Sequence, residues 1–323
     1  MNTILLDAAT SEDLRRTSLI LLAGGLVGVP TETVYGLAAD ASQPSAVKKI
    51  FAAKGRPTDH PLILHVADID AAHAVSSEWP DVAEVLGTTF WPGPITLLVR
   101  RAEQISTVVT GGRETVAVRV PDQPGLLEIL DDMRRSGSVG IAAPSANKFG
   151  RVSPTTAQHV LEEFQGTIDA VLDAGACQVG VESTIVDCTT SPPRLLRPGG
   201  VSLEDLNAAL DLADLPMVSE LGAIPGDVKA PGMLPSHYAP QATVRLFDNF
   251  EEARSAAATV DATGGRSVLL EAPTDNAEYA RQLFRLLREA DATHPDVILA
   301  VLPSSLGLGR AVRDGLAKAA AAR

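Results

Sequence analysis

The chain has 323 residues, 45% of them hydrophobic and 21% charged, which is the size of two domains and the composition of a globular protein. Aromatic residues make up only 4%, so the core must be built mainly from Val, Leu, Ile and Ala. Against 40 acidic residues stand 27 basic ones, a formal charge of −13 that disfavours a protein whose main task is gripping nucleic acid.

Thr10-Ser11-Glu12-Asp13 starts a helix, with Thr10 and Asp13 at capping-box spacing, and Gly24-Gly25 stops it. Residues 26–29 form a short apolar strand running into Pro30-Thr31-Glu32-Thr33. A second helix carries Val47, Ile50 and Phe51 on one face and closes at Gly55, the expected C′ residue, with Pro57 beyond it. Strands follow at 62–66, 95–99, 116–120 and 139–142. Ser153-Pro154 reads as the next helix start, with Ser153 as N-cap and Pro154 at N1. Residues 170–172 and 184–187 complete a first domain whose strands alternate irregularly with helices, so a twisted mixed α/β sheet is expected.

Residues 215–240 hold five prolines and three glycines with no sustained periodicity and read as an interdomain linker. Strands at 243–247, 267–270 and 297–302 then alternate with helices near 251–259, 277–290 and 306–321. That is the pattern of a small Rossmann-like βαβ domain with a parallel sheet. The expected organisation is therefore 1–214, a linker at 215–240, and 241–323.

Five polar loops sit at the ends of apolar elements, where open α/β sheets place their ligands. They are Pro30-Thr-Glu-Thr-Val-Tyr-Gly-Leu37, Lys54-Gly-Arg56-Pro57, Ala143-Pro-Ser145-Ala-Asn147, Val181-Glu-Ser183-Thr-Ile185 and Arg197-Pro-Gly-Gly200. Each has a bland alternative. Lys54 and Arg56 lie where cations complement a helix C-terminus, but they also suit a phosphate clamp, Arg as a planar fork and Lys as a point charge. Ser145 and Asn147 are turn formers that also suit adenine, ribose or α-phosphate contacts. Ser153 at a helix start would itself be a ready anion site. Arg119 and His65 interrupt apolar strands, where each is either a structural residue or a cleft-facing one.

Other signatures are missing: there is no Walker motif, no GxSxG, no HExxH and no Cys/His cluster, so no protein-bound metal site is expected. Gly307-Leu308-Gly309 lacks the third glycine and the later acidic residue of a dinucleotide fingerprint, and reads as helix packing. Cys177 and Cys188 have no CxxC spacing and read as buried thiols of a reducing compartment. The most apolar run, 19–29, is broken by three glycines, and no basic n-region precedes an apolar stretch. A cytoplasmic protein with no membrane partner is expected.

Taken together and in this order, the five loops resemble the YrdC-like family of threonylcarbamoyl-AMP synthases. Residues 30–37 match its PT[ED]TVYGL signature, Lys54-Gly-Arg56 with Ser145-Ala-Asn147 its split KxR…SxN motif, and 181–185 and 197–199 its later signatures. Ser236-His-Tyr238-Ala-Pro240 and the βαβ unit look like the longer, two-domain form.

The resemblance implies a YrdC-like mixed-sheet domain that makes L-threonylcarbamoyladenylate from L-threonine, bicarbonate and ATP, releasing pyrophosphate, for the N6-threonylcarbamoyladenosine modification of tRNA. It places Thr33, His65, Arg119, Ala143 and Ser183 on threonine, with Arg119 on the carboxylate. It places Lys54, Arg56, His60, Thr115, Ser145, Asn147, Ser153, Arg197 and Tyr238 on ATP, with Lys54 and Arg56 as the catalytic cations and Mg2+ as an expected companion. His60 departs from the family's usual NPL, because an imidazole cannot offer a donor and an acceptor on one side as an amide does. The implied partner is the machinery that transfers the group to tRNA, and the acidic charge disfavours direct tRNA binding. Two rivals are a carbamoyl-transfer protein, for which the two cysteines are too few, and an RNA-binding module using a patch around residues 48–56. A last expectation is that the proline-rich linker closes over the site and brings Tyr238 to the nucleotide.

Overall fold

The structure is a computed structural model that describes residues 2–219 and 238–321. Eleven strands of the described residues form one mixed sheet. Its path runs through Ile4–Asp7, Ala170–Asp173, Val27–Val29, Gly36–Asp40, Ile141–Ala142, Ile63–His65, Thr115–Arg119, Ile95–Arg101, Thr184–Asp187 and Arg194–Arg197, and Ser76–Glu78 pairs with Ile95–Arg101 at the side. The path mixes the two ladder types, two parallel and then three antiparallel before they alternate, as the irregular strand–helix order leads one to expect.

Two ladders set the geometry of the site. Ile63–His65 runs parallel to Thr115–Arg119 with His65 opposite Arg119, so these two residues leave the same end of the sheet together. Gly36–Asp40 pairs antiparallel with Ile141–Ala142, which brings the loop of residues 30–37 against the loop of 143–147. A bridge between Gly36 and Ser145 closes that approach. Gly36 suits this approach, because a Cβ on it would lie 3.2 Å from the Ala143 methyl, a tight contact that the loop would have to yield to. Gly36–Asp40 escaped the sequence reading because it is buried on both faces and shows no alternation.

The helix signals held in part. Thr10 caps Ser11–Leu22 by accepting from the Asp13 amide, but Asp13 does not complete the box; its carboxylate accepts from the Asp7 amide instead. Pro44–Lys54 ends in a Schellman arrangement, with Gly55 at φ 65° and the Arg56 amide donating to the Phe51 carbonyl. Ser153 is not an N-cap. The Pro154 carbonyl accepts from the Tyr35 amide and the Thr155 carbonyl from the Cys177 amide, which holds this stretch extended and buried. The helix begins later, at Ala157–Phe164, capped by Thr156.

The C-terminal domain has the expected parallel three-stranded sheet, Thr243–Phe247, Val297–Val301 and Ser267–Leu269 in spatial order. Helices Phe250–Ala262, Asn276–Ala292 and Gly309–Ala320 flank it. It shares a hydrophobic core with the first domain: Val34, Val152 and Val181 pack with Leu283, Phe284 and Leu287. Gly180, at φ 74°, permits this closeness, because a Cβ there would meet the Arg281 carbonyl oxygen at 2.2 Å. Of the expected linker, residues 215–219 lie on the first domain, where the Val218 amide donates to Asn207 and Ser219 bridges to Arg194. The rest of it up to residue 237, including Ser236 and His237, lies outside the described residues. Cys177 and Cys188 are buried free thiols. No described helix is long and apolar enough to cross a membrane.

Candidate active site

A cleft opens where the five loops meet, lined by Arg56, Arg119, Arg197, Thr33, His65, Ala143, Ser145 and Tyr238 among others. Three guanidinium groups thus face one space, and Glu182 is the carboxylate among its described lining residues. All three arginines are buried.

Arg119 is held from three sides. Its Nη2 lies 2.7 Å from Glu32 Oε1 and donates to Thr33 Oγ1 at 2.9 Å, while Nε donates to the Gly93 carbonyl at 3.3 Å. The hydroxyls beyond it are ordered. Thr31 donates to the Val34 carbonyl at 2.6 Å, so in its contact with Thr33 it is the acceptor. Thr33 therefore accepts from Arg119 and donates its own O–H to Thr31 Oγ1. Glu32 is buried, and neither carboxylate oxygen has a well-aligned hydrogen-bond donor among the described residues; Oε1 meets Arg119 as an ion pair. Burial, with the charge of Arg119 added, pushes His65 down to about 3. The imidazole beside Arg119 is neutral at physiological pH and leaves Arg119 as the anion-binding group at this end.

At the other end, Arg56 Nη2 donates to the Pro61 carbonyl at 3.1 Å, and its guanidinium carbon stands 6.0 Å from the Phe149 ring centroid. Burial pushes its pKa down to about 10, which still leaves it protonated near neutrality. Arg197 donates through Nε to the Ser183 carbonyl at 3.0 Å and through Nη2 to Ser183 Oγ at 2.9 Å. Its Nη2 is 3.7 Å from Glu182 Oε2. Gly199 lets this turn lie flat on the 182–184 backbone, since a Cβ there would sit 2.3 Å from the Thr184 nitrogen.

Several expected site residues stand behind the wall rather than in it. Lys54 is buried, and its Nζ donates to the carbonyls of Ser145 and Asn147, tying the helix end to the 143–147 loop. Desolvation, with Arg56 beside it, pushes its pKa well below the ordinary lysine value. Asn147 donates to the Lys148 and Arg151 carbonyls and braces the same loop. Ser183 Oγ is shared between Arg197 and Thr96 Oγ1. Ser153 Oγ donates to Glu182 Oε1 at 2.9 Å. His60 sits with its ring centroid 5.6 Å from that of Phe149, on the outer side of Arg56. Thr115 opens the strand that ends in Arg119; it shares Arg119's face, roughly 13 Å away at the usual rise per residue.

Glu32, Glu182 and Thr31 were missed as individual residues, although their loops were identified. The available signal was the same for both glutamates: the single charged residue of a loop that leads straight into a buried strand, which calls for a cationic partner.

A mixed α/β sheet carrying three buried arginines over its strand ends defines an enzyme for multiply charged anionic substrates. Residues 19–199 match the family model of Sua5, YciO and YrdC, described as "Telomere recombination", and residues 201–321 match that of the threonylcarbamoyl-AMP synthase C-terminal domain. The chain belongs to the Sua5/YrdC family of threonylcarbamoyl-AMP synthases, in its two-domain form. Threonylcarbamoyl-AMP synthase of Pyrococcus abyssi is 42% identical over 317 residues, 93% of this chain and 92% of that protein. The Bacillus subtilis synthase is 36% identical over 95% of this chain and 93% of its own length. The crystal structure of P. abyssi Sua5 complexed with L-threonine superposes with a TM-score of 0.90 at 39% identity, covering 99% of this chain and 98% of that one.

Proposed function

We propose that the chain joins L-threonine, bicarbonate and ATP into L-threonylcarbamoyladenylate, releasing pyrophosphate, and acts in the cytoplasm ahead of the transfer of the threonylcarbamoyl group to tRNA. The observation that supports it most is the cleft itself. Three buried guanidinium groups face it against two carboxylates, Glu32 on Arg119 and Glu182 near Arg197, and the positive excess suits a ligand set that is itself anionic, as a triphosphate together with an amino-acid carboxylate is.

In this reading the Arg119 end takes threonine. Arg119 binds the carboxylate, Thr33 and neutral His65 orient the polar groups, and Ile63 and Ala143 line the space for the methyl. The Arg56 and Arg197 end takes ATP, with Ser145 and Tyr238 beside it. The threonine amine attacks carbon dioxide derived from bicarbonate and loses a proton. A carbamate oxygen then attacks the α-phosphorus, and the bond to pyrophosphate breaks with its electron pair. The arginines hold the phosphates and neutralise the charge that develops, so catalysis is positioning and electrostatics. Lys54 and Asn147 contribute by fixing the 143–147 loop on which Ser145 rides. Mg2+ enters as the counter-ion of ATP. The group Mg2+ supplies is a Lewis acid on the phosphate oxygens.

Serine tests the threonine end. It keeps the carboxylate and amine but lacks the methyl that Ile63 and Ala143 would touch, which limits discrimination to roughly 10–200-fold. Pyrophosphate release with serine is expected to be lower than with threonine by a factor in that range. Equal turnover with the two amino acids would remove threonine from the assignment.

A further inference from the structure

Arg310 with Glu204 and Arg151 with Asp291 link the two domains, and a further set of polar contacts gathers on one side chain. Arg288 belongs to helix Asn276–Ala292 of the C-terminal domain. Its Nη2 donates to the Val152 carbonyl at 2.5 Å and pairs with Glu163 Oε1 at 2.9 Å, and its Nε donates to the Ser153 carbonyl at 3.4 Å. Ser153 does not end the path. Its hydroxyl donates to Glu182 Oε1 at 2.9 Å, and Glu182 Oε2 lies 3.7 Å from Arg197 on the cleft wall.

The apolar contacts of the same helix reach the same loops. Val34, Val152 and Val181 pack against Leu283, Phe284 and Leu287, and each valine is the sequence neighbour of a site residue: Thr33, Ser153 and Glu182. Tyr238 stands with its ring centroid 5.2 Å from that of Phe284, and Lys318 Nζ is 5.9 Å from the centroid of its ring. The helix therefore covers the backs of three cleft loops, and Arg288 fixes the only pair of backbone carbonyls it holds at the stretch that aims the Ser153 hydroxyl.

We infer that Arg288 is a positioning residue for the nucleotide half of the cleft, through which the C-terminal domain sets the affinity for ATP without touching it. Ser153 donates one hydrogen bond to Glu182, which leaves Arg197 only partly engaged by that carboxylate. When Arg288 is lost, the 152–153 backbone is released and Ser153 loses its aim. Glu182 then draws the Arg197 guanidinium to itself and away from the phosphates. The threonine end is anchored separately, by Glu32, Thr33 and the Gly93 carbonyl, and is untouched.

This inference rests on the assignment of ATP to the Arg56 and Arg197 end. The test measures ATP and L-threonine affinities separately on the full-length chain. Arg288→Ala is expected to weaken ATP binding about tenfold, with threonine within about twofold, and Arg288→Lys, which keeps the pair with Glu163 but not both carbonyl contacts, to fall between. Arg288→Ala combined with Ser153→Ala should be no worse for ATP than the weaker-binding single variant, because the two act along one path. Unchanged ATP affinity in Arg288→Ala, equal weakening of both substrates, or additive losses in the double variant would each overturn the inference. If Arg288→Ala does not fold, Arg288→Lys alone decides, with a loss of about threefold confined to ATP as the expected result and unchanged affinity as the overturning one. Arg197→Ala distinguishes the two levels. If it also leaves ATP binding intact, the ATP assignment fails; if it weakens ATP while Arg288→Ala does not, only the role of Arg288 fails.

Discussion

Arg119→Lys is expected to weaken threonine binding by about 10–100-fold while ATP affinity stays within about twofold. One side chain at this position has several tasks at once. It answers the buried Glu32 carboxylate at 2.7 Å, donates to Thr33 and to the Gly93 carbonyl, and still faces the cleft with its remaining N–H groups. A planar fork with five donors can do this, whereas an ammonium has three donors at one point. Lysine would be drawn to Glu32, because an unpaired buried carboxylate costs several kcal/mol. The substrate carboxylate would then be left without its bidentate partner. Arg119→Ala should bind threonine worse still and lose stability, since it strands Glu32. Calorimetric titration with each substrate gives the answer; intact threonine affinity with weakened ATP would reverse the two ends of the cleft.

Arg197→Ala is expected to weaken ATP binding by about 100-fold or more. The loss has two parts. A guanidinium that faces the triphosphate disappears, and Glu182, its neighbour at 3.7 Å, becomes an uncompensated negative charge on the cleft wall. The second part is separable. Glu182→Gln added to Arg197→Ala removes the repulsion and keeps an acceptor for the Ser153 hydroxyl, so it should recover part of the affinity. A double variant that binds ATP no better than Arg197→Ala alone would show that Glu182 does not face the phosphates.

The polar loops were legible as turns at the ends of apolar elements, but the individual cleft residues were singled out by the family resemblance. Thr33, His65, Arg119, Ala143, Ser145, Arg56, Arg197 and Tyr238 all line one cleft, although they are spread over 206 positions, from 33 to 238. The apolar runs at residues 62–66 and 116–120 showed strands, and the structure pairs them so that His65 lies opposite Arg119. Which carbonyl takes which donor was not legible. Lys54 reads as a phosphate ligand from its spacing to Arg56, yet its ammonium is directed at two backbone carbonyls that a separate loop supplies. Ser153 before a proline is a sound cap signal, and tertiary hydrogen bonds from Tyr35 and Cys177 overrode it. Glu32 and Glu182 illustrate the limit from the other side. A carboxylate's role depends on the arginine it meets, and both arginines come from distant strands.

The central claim is that one enzyme cleft joins three substrates, and pyrophosphate release from ATP tests it most directly. With Mg2+, ATP, threonine and bicarbonate all present, the full-length chain should release pyrophosphate steadily. Omission of threonine, or of bicarbonate in carbon-dioxide-depleted buffer, should each reduce release to the background of ATP alone. Release that continues undiminished without threonine or without bicarbonate would contradict the account, because neither a carbamate nor its attack on the α-phosphorus could then be the reaction measured.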